Sequence, residues 1–256
     1  TRLTRALYSI LAVVTCFAII YVLLRTTSFL PPFGNPDNPV NNEVSQRYIE
    51  QGMQETGAVN IVAGMILDYR AFDTLGESHV LFIAACSVLI LLRISREKDG
   101  SQSAEQLLVE ANDRMYEPKN DTILQHVTKL LVPIVLLFGM YVIMNGHISP
   151  GGGFSGGALM GAALILYLNA FGFKKTERFF TFRVFQIVSL CALSFYAVSK
   201  AYSFFTGANH LWSFITPGTP GKLFSAGLIP YLNLAVGLVV CCTMYAFYTL
   251  FRKGDM

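Results

Sequence analysis

Six long apolar stretches constrain the fold of this 256-residue chain more than any other feature. Each holds roughly 20 mostly apolar residues, which as a helix span about 30 Å of hydrocarbon with every backbone amide satisfied inside its own segment. They cover residues 6–24, 74–92, 123–145, 156–173, 184–205 and 228–251. We therefore expect an all-α, polytopic membrane protein with about six transmembrane helices.

Composition agrees with lipid as the main solvent. Hydrophobic residues make up 53% of the chain and charged residues only 14%, a balance outside the range of ordinary soluble domains. The net charge of +3 comes from basic residues scattered through short polar segments, so nucleic acid is excluded as a partner. All five cysteines lie inside apolar runs and none is in a CxxC pair. This chain is therefore expected to hold no zinc ion, iron-sulfur cluster or other cofactor.

The lysines and arginines predict an orientation, because short cytoplasmic loops collect them. They alternate from one polar segment to the next. One side holds Arg2, Arg5, Arg93, Arg96, Lys98, Arg114, Lys119, Lys174, Lys175, Arg178, Arg183, Arg252 and Lys253. The other side holds the proline-rich stretch 30–40, the glycine turn at 150–153, and the loop 206–227, whose only basic residue is Lys222. Both termini are therefore predicted to be cytoplasmic.

A polar linker divides the chain. The longest cytoplasmic segment is 94–121, which contains the linker 96–121, and one short amphipathic helix is expected around 104–115. The linker separates a two-helix domain, 1–95, from a four-helix domain, 122–256, and no internal repeat is visible. The soluble segments are too short to fold as a catalytic domain, so the chain is not expected to be catalytic by itself.

Charge enters the apolar pattern between the first two spans, in residues 56–77, TGAVNIVAGMILDYRAFDTLGE. Charge at membrane depth costs a few kcal/mol per group, so such groups are usually paired, hydrated or functional. Asp73 and Glu77 would share one helix face and could relay a proton or cation. Alternatively, Asp68 and Arg70 cap or pair at a helix end, while Asp73 and Glu77 sit at the positive N-terminus of the next helix. The pattern leaves open whether 57–69 is re-entrant, interfacial or part of a long bent helix.

Two further ionisable residues lie in or beside the spans. His147 follows the third span and is either a polar anchor or a proton carrier. Lys200 lies about 25 Å along the fifth span if that helix starts near Arg183. Its stem is therefore expected to snorkel to the interface, and a place on an ion pathway is the alternative.

The glycines at 151–153, 156 and 157 lie between two spans and lack the Lys-Ser/Thr ending of a phosphate-binding loop. Tight turning and close helix packing explain them better.

Two segments resemble parts of known ion transporters. The stretch LPPFGNPDNPVNNEV from Leu30, followed by 56–77, resembles the C-terminal part of the large A subunit of Mrp-type cation/proton antiporters and the separate E subunit of energy-converting membrane-bound hydrogenases. From Ile123 onward, a run containing GHISPGGGF is similar to the Mrp B subunit. Together the two resemblances cover most of the chain except the linker.

The resemblance implies a non-redox subunit of a sodium/proton antiport module in a prokaryotic cytoplasmic membrane. Na+ and H+ would be the transported ions, and large antiporter-like subunits and lipid would be the partners. The family positions it marks are Asp73, Glu77, His147, Pro150 and Phe154, with Asp68 and Arg70 as further candidates.

In stand-alone antiporters the first domain belongs to the large A subunit, whereas here it is joined to the B-like part. This fusion suggests a membrane-bound hydrogenase or related respiratory complex, whose NiFe and iron-sulfur centres lie in a redox arm on partner subunits. Two alternatives stay open: a subunit of a stand-alone Mrp antiporter, and a purely architectural subunit.

Overall fold

The computed structural model describes residues 2–92, 108 and 121–253. Over these residues the regular elements are helices, and six of them are long and apolar enough to cross a membrane. The all-α, six-span prediction is thus confirmed. Apart from residue 108, the helix expected at 104–115 lies outside the described residues. The chain forms two compact units, 1–47 and 48–256.

The first unit consists mainly of α1, Arg2–Ser28. Past the end of α1, the proline-rich stretch is folded into turns by asparagine side chains: the Asn38 amide donates to the Pro32 carbonyl oxygen, and the Asn41 amide to those of Asn35 and Pro36. Side chains that replace missing backbone partners explain how a proline-rich segment holds a defined path. Helix α2, Glu43–Glu50, follows.

The second unit is a helical bundle. Its elements are α3 (Gly52–Thr56), α4 (Ile61–Gly64), a π-helical turn (Met65–Tyr69), α5 (Ala71–Leu92), α6 (Thr122–Met144), α7 (Gly153–Phe171), α8 (Phe173–Thr176), α9 (Phe182–Ala208) and α10 (Ile229–Lys253). Helix α10 is the most buried span and packs against α5, α6, α7 and α9. It therefore forms the centre of the bundle.

Small residues let α6, α7 and α10 approach closely. A Cβ added at Gly157 of α7 would lie 2.5 Å from the Gly237 carbonyl oxygen of α10. A Cβ at Gly156 would lie 2.7 Å from the Gly139 carbonyl oxygen of α6. Close backbone contact is a main source of helix association in lipid, where apolar side chains gain little by leaving the surrounding tails. Gly156 and Gly157 thus serve close helix packing, as expected.

Within the second unit, α5 packs against helices from the other side of the linker. Phe82 of α5 stacks on Phe185 of α9 with ring centroids 6.1 Å apart, and α5 also contacts α10. The division of the chain at 96–121 stays a prediction from the sequence, and it is not a break in packing within the second unit.

The two ends of the bundle differ in character. The glycine turn and the loop 206–227, predicted on the same side, meet at one end, where a His147 ring nitrogen contacts the Lys222 carbonyl oxygen. At the other end, Arg252 donates to the Asn169 side-chain oxygen and lies over the Phe173 ring. Which end faces the cytoplasm remains a prediction from the charge pattern.

Candidate ion site

The candidate site is built on an interruption of the helix that enters α5. Asn60 caps α4, since its side-chain oxygen accepts from the amides of Val62 and Ala63. Its side-chain amide donates to the carbonyl oxygens of Gly146 (2.9 Å) and Ser149 (3.1 Å). One asparagine thus starts α4 and anchors it to the segment just before the glycine turn.

The π-helical turn follows α4 and ends at Arg70, directly before α5. Across this interruption the Thr74 hydroxyl donates to the Ile66 carbonyl oxygen at 2.7 Å. On its inner side, Leu67 is buried in an apolar cluster that includes Leu232 and Val236 of α10. Single π-helical turns inside helices are often found at functional sites, and this one displaces Asp68 from the line of α5.

Asp68 forms an ion pair with Lys200 of α9, with Nζ 2.8 Å from the carboxylate Oδ1. The side chain of Lys200 is 4% exposed and that of Asp68 is 41% exposed. Nearby, the Tyr196 hydroxyl donates to the Ala71 carbonyl oxygen at 2.9 Å and fixes α9 against the start of α5. The snorkelling prediction for Lys200 is therefore wrong, because its ammonium ends on an acidic partner inside the chain.

The other two acids of the segment lie on the outside of the chain. Asp73 pairs with Arg70 at 2.6 Å, and both side chains are more than half exposed. Since α5 runs through both Asp73 and Glu77, the shared face is confirmed, and Glu77 is exposed on it. Within the described ranges Glu77 forms no ion pair. The structure thus separates Asp68 from the two acids that the sequence groups with it.

A cavity of about 420 Å³ opens beside Asp68. Its lining is polar for a membrane bundle and contains two carboxylates and five hydroxyl side chains. The lining residues are Glu55, Thr56, Asp68, Ser203, Thr206, Gly207, Leu211, Ser213, Ile215, Thr216, Pro217, Ala226, Gly227 and Leu228. Glu55 accepts a hydrogen bond from the Tyr69 hydroxyl. Most of the lining residues lie between 206 and 228, so the cavity is at the bundle end that holds the loop 206–227, and Asp68 borders it there.

His147 lies apart from the ion pair, between the glycine turn and the loop 206–227. Its ring is fully buried, and Nε2 lies 3.1 Å from the Lys222 carbonyl oxygen, to which it can donate as the Nε2–H tautomer. Its Nδ1 has no hydrogen-bond partner in the part of the chain that the structure describes. The structure thus gives His147 the contact of an anchor, while the proton-carrier alternative stays open.

The glycine turn is held from α10 by a residue that the sequence analysis missed. Gly151 and Gly152 have φ values of 148° and 142°, which favour glycine, and Pro150 before them is exposed. The Gly153 amide donates to the Asn233 side-chain oxygen at 2.9 Å, and Asn233 is almost fully buried. A lone amide inside the apolar run 228–251 is the signal that could have identified it.

Two further features complete the motif. Phe154 packs against the apolar cluster beside Leu67. A second cavity, of about 180 Å³, is lined by Asn60, Thr74, Asn233 and the glycine run, among other residues. Tyr196, Asn60 and both cavities were not visible in the sequence pattern, because each depends on segments that are far apart in the chain.

Family models match both parts of the chain. Residues 123–246 match the domain related to the MnhB subunit of Na+/H+ antiporter, and residues 32–107 match MbhE, the E subunit of MBH. The first of these matches to end, MbhE, stops inside the predicted linker, and the other begins just after it. They confirm the two resemblances that RAFDTLGE and GHISPGGGF carry in the sequence.

Individual relatives agree. An uncharacterized protein of Methanocaldococcus jannaschii is 33% identical over 195 residues, which cover 71% of this chain and 72% of that one. A probable A/B subunit of a K(+)/H(+) antiporter from Rhizobium meliloti is 28% identical over 54% of this chain, but over only 15% of its own length. A putative antiporter subunit mnhB2 of Staphylococcus aureus is 38% identical over 33% of this chain and 61% of its own length.

Two solved structures share the fold. A chain of the membrane-bound sulfane sulfur reductase, an archaeal respiratory membrane complex, has a TM-score of 0.69 at 30% identity, with 96% of this chain and 98% of that chain covered. A chain of the Mrp complex from Dietzia sp. has a TM-score of 0.64 at 21% identity, with 96% and 26% covered. This chain is thus a multi-pass membrane protein that belongs to the MbhE family over its first part and to the family of the domain related to the MnhB subunit of Na+/H+ antiporters over its second part.

Proposed function

We propose that this chain is a non-redox membrane subunit of an Mrp-type cation/proton antiport module, within a respiratory-type complex of a prokaryotic cytoplasmic membrane. The full-length likeness to a chain of the sulfane sulfur reductase complex supports a respiratory assembly over a stand-alone antiporter. Large antiporter-like subunits would be its membrane partners. Redox centres, such as NiFe and iron-sulfur centres, would lie on a peripheral arm, and this chain would not be catalytic by itself.

The observation that carries this proposal is the ion pair of Lys200 and Asp68 beside the polar cavity. An ammonium buried to this degree is costly unless it is paired, and intramembrane ionisable groups usually mark ion or proton pathways. A packing role alone would be met by apolar side chains of similar volume, and such replacements are often neutral or stabilising. A buried charge pair that borders a polar cavity therefore favours a role in ion movement.

The chemistry would be electrostatic, with no covalent step. Protonation or cation binding at Asp68 would weaken its attraction to the Lys200 ammonium, and movement of the ammonium would change the field at neighbouring charged groups. Asp73 and Glu77 face outward from this chain, so we place them at the contact with a neighbouring subunit. There they would exchange a proton or cation with a group of that subunit, as the relay hypothesis requires.

The proposal is tested in vesicles that carry the intact complex, by measuring proton movement driven by a sodium or potassium gradient. The double variant Asp68→Asn/Lys200→Gln removes both charges and leaves neither one unpaired. We expect it to assemble and to lose most of the exchange. Glu43→Gln, an exposed carboxylate on α2, is the matched control and should exchange as the parent does.

The opposite result has a definite meaning. If the double variant assembles and exchanges at the parent rate, the ion pair is not on the pathway, and the architectural role takes its place. A comparison of complexes with and without a redox substrate then separates the two assemblies. Proton movement driven by electron transfer indicates a respiratory arm, and exchange by gradients alone indicates a stand-alone antiporter.

A further inference from the structure

We infer that Asp68 is a binding site for a monovalent cation, and that the Lys200 ammonium is a tethered competitor that occupies this site when the cation is absent. The inference rests on the proposed function for the identity of the ion, Na+ or K+. Its geometry comes from the ion pair and the cavity alone.

The two partners of the ion pair are unequally accessible. Lys200 is 4% exposed, whereas Asp68 is 41% exposed and lines the cavity. A cation that enters the cavity therefore meets the carboxylate without passing the ammonium. Asp68 has this access because it lies in the π-helical turn, whose inner side is taken by Leu67.

The cavity offers the kind of ligand that small hard cations prefer, which is oxygen. Ser203 lies three residues after Lys200 on α9, and both Ser203 and Thr206 line the cavity, so hydroxyl oxygens follow within two turns of the lysine. Thr56 lines the same cavity from α3. Of the described residues that line the cavity, none is a lysine, arginine or histidine, so a cation meets no positive side chain until it reaches Asp68.

The position of Lys200 shows that a positive charge is accommodated beside the carboxylate. Its Nζ lies 2.8 Å from Oδ1, within the range of a charge-assisted hydrogen bond. A cation and the ammonium would compete for the same carboxylate. The cation can bind only while Lys200 is away from Asp68, so its apparent affinity is the intrinsic affinity multiplied by that fraction of time. A site weakened in this way releases its ion readily, as conduction requires.

The test is equilibrium binding of radioactive sodium to the purified, complete complex, repeated with potassium as competitor. Other subunits contribute their own sites, so the quantity compared is the difference from the parent complex. Four variants are needed: Asp68→Asn, Lys200→Gln, the double variant, and Asp37→Asn as an exposed carboxylate control from the first unit.

We expect Lys200→Gln to tighten one class of sites by about tenfold, because the competitor is gone. Asp68→Asn and the double variant should each lose one bound ion per complex, and Asp37→Asn should change nothing. A parent-like stoichiometry in the double variant overturns the inference, as does an unchanged affinity in Lys200→Gln. If a single variant does not assemble, the double variant decides, since it leaves no buried charge unpaired.

The outcome is distinguishable from failure of the proposed function. Loss of exchange with unchanged ion binding in the double variant would refute the cation site and leave the proposed function in place. Unchanged exchange with one lost ion would keep the site and refute the proposed role of the pair in transport.

Discussion

Two regions of the second unit are packed in opposite ways. The interrupted segment 61–70 keeps charge inside the bundle and has a cavity beside it. At the contact of α6, α7 and α10, glycines instead leave no room for a Cβ, so the backbones come close together. The first region depends on a pair of charges, 2.8 Å apart, whose partners come from different halves of the chain. The second depends on glycines, such as Gly157, that tolerate no added atom.

The difference teaches where tolerance to substitution should lie. In the glycine contact any added volume separates helices, so the loss should appear in assembly and stability. In the interrupted segment a neutral pair of similar size can fill the same space, so a substitution there should reduce transport while stability is kept. A glycine variant that lost only transport, or a neutral pair that lost stability, would contradict this comparison.

The largest effect on stability is expected from Asp68→Asn, because it leaves the Lys200 ammonium buried without its partner. Breaking a buried pair in this way costs about 3–5 kcal/mol. Lys200→Gln should cost less, since the Asp68 carboxylate that it leaves behind is partly exposed and can be hydrated from the cavity. Both losses of stability are measured by heating the purified complex and monitoring the intact fraction by size-exclusion chromatography. Equal losses of stability in the two variants would mean that the unequal exposure of Asp68 and Lys200 does not determine the cost of breaking the pair.

The next effect is expected from Gly157→Ala in the glycine contact. The added Cβ would lie 2.5 Å from the Gly237 carbonyl oxygen, so the helices must separate. Overpacking of this kind costs about 1–3 kcal/mol, and the yield of assembled complex should fall by roughly tenfold or more. Gly207→Ala on α9 is the matched control, because its Cβ would meet no atom within 4 Å. A stable Gly157→Ala complex would show that this contact can relax.

The sequence predicted the spans well because apolar length is a local property. The expected span 123–145, for example, corresponds to the helix Thr122–Met144. The ion pair was beyond such reasoning, since Asp68 and Lys200 are 132 positions apart. A neighbouring arginine also offered Asp68 a partner. In the structure Asp68, which lies in the π-helical turn, pairs with Lys200 of α9, and Arg70 pairs with Asp73.

A smaller loss is expected from Asn233→Ala, which tests the hydrogen bond between α7 and α10. The variant removes the acceptor for the Gly153 amide and so loosens the start of α7. We expect a cost of about 1 kcal/mol, the net value of one hydrogen bond. Water in the adjacent cavity of about 180 Å³ can take over part of the role. Asn209→Ala, at the exposed end of α9, is the control for the same change. Equal melting temperatures for the two variants would show that Asn233 does not hold the turn.

The smallest effect on stability, with a large effect on transport, is expected from Glu77→Gln. Glu77 is exposed on α5 and makes no ion pair within the described residues of this chain, so the folded chain should change by less than about 0.5 kcal/mol. If the outward carboxylate exchanges a proton or cation with a neighbouring subunit, cation/proton exchange should collapse at matched levels of assembled complex.

Asp73→Asn sharpens this prediction. The exposed pair of Asp73 with Arg70 contributes only about 0–1 kcal/mol, so its loss should also leave assembly intact. Exchange that fails in Glu77→Gln and persists in Asp73→Asn would assign the relay to Glu77 alone. If Glu77→Gln instead lowers assembly in proportion to exchange, the carboxylate holds the neighbouring subunit in place. The outward face of α5 would then be a docking surface, and the ion pathway would depend on Asp68.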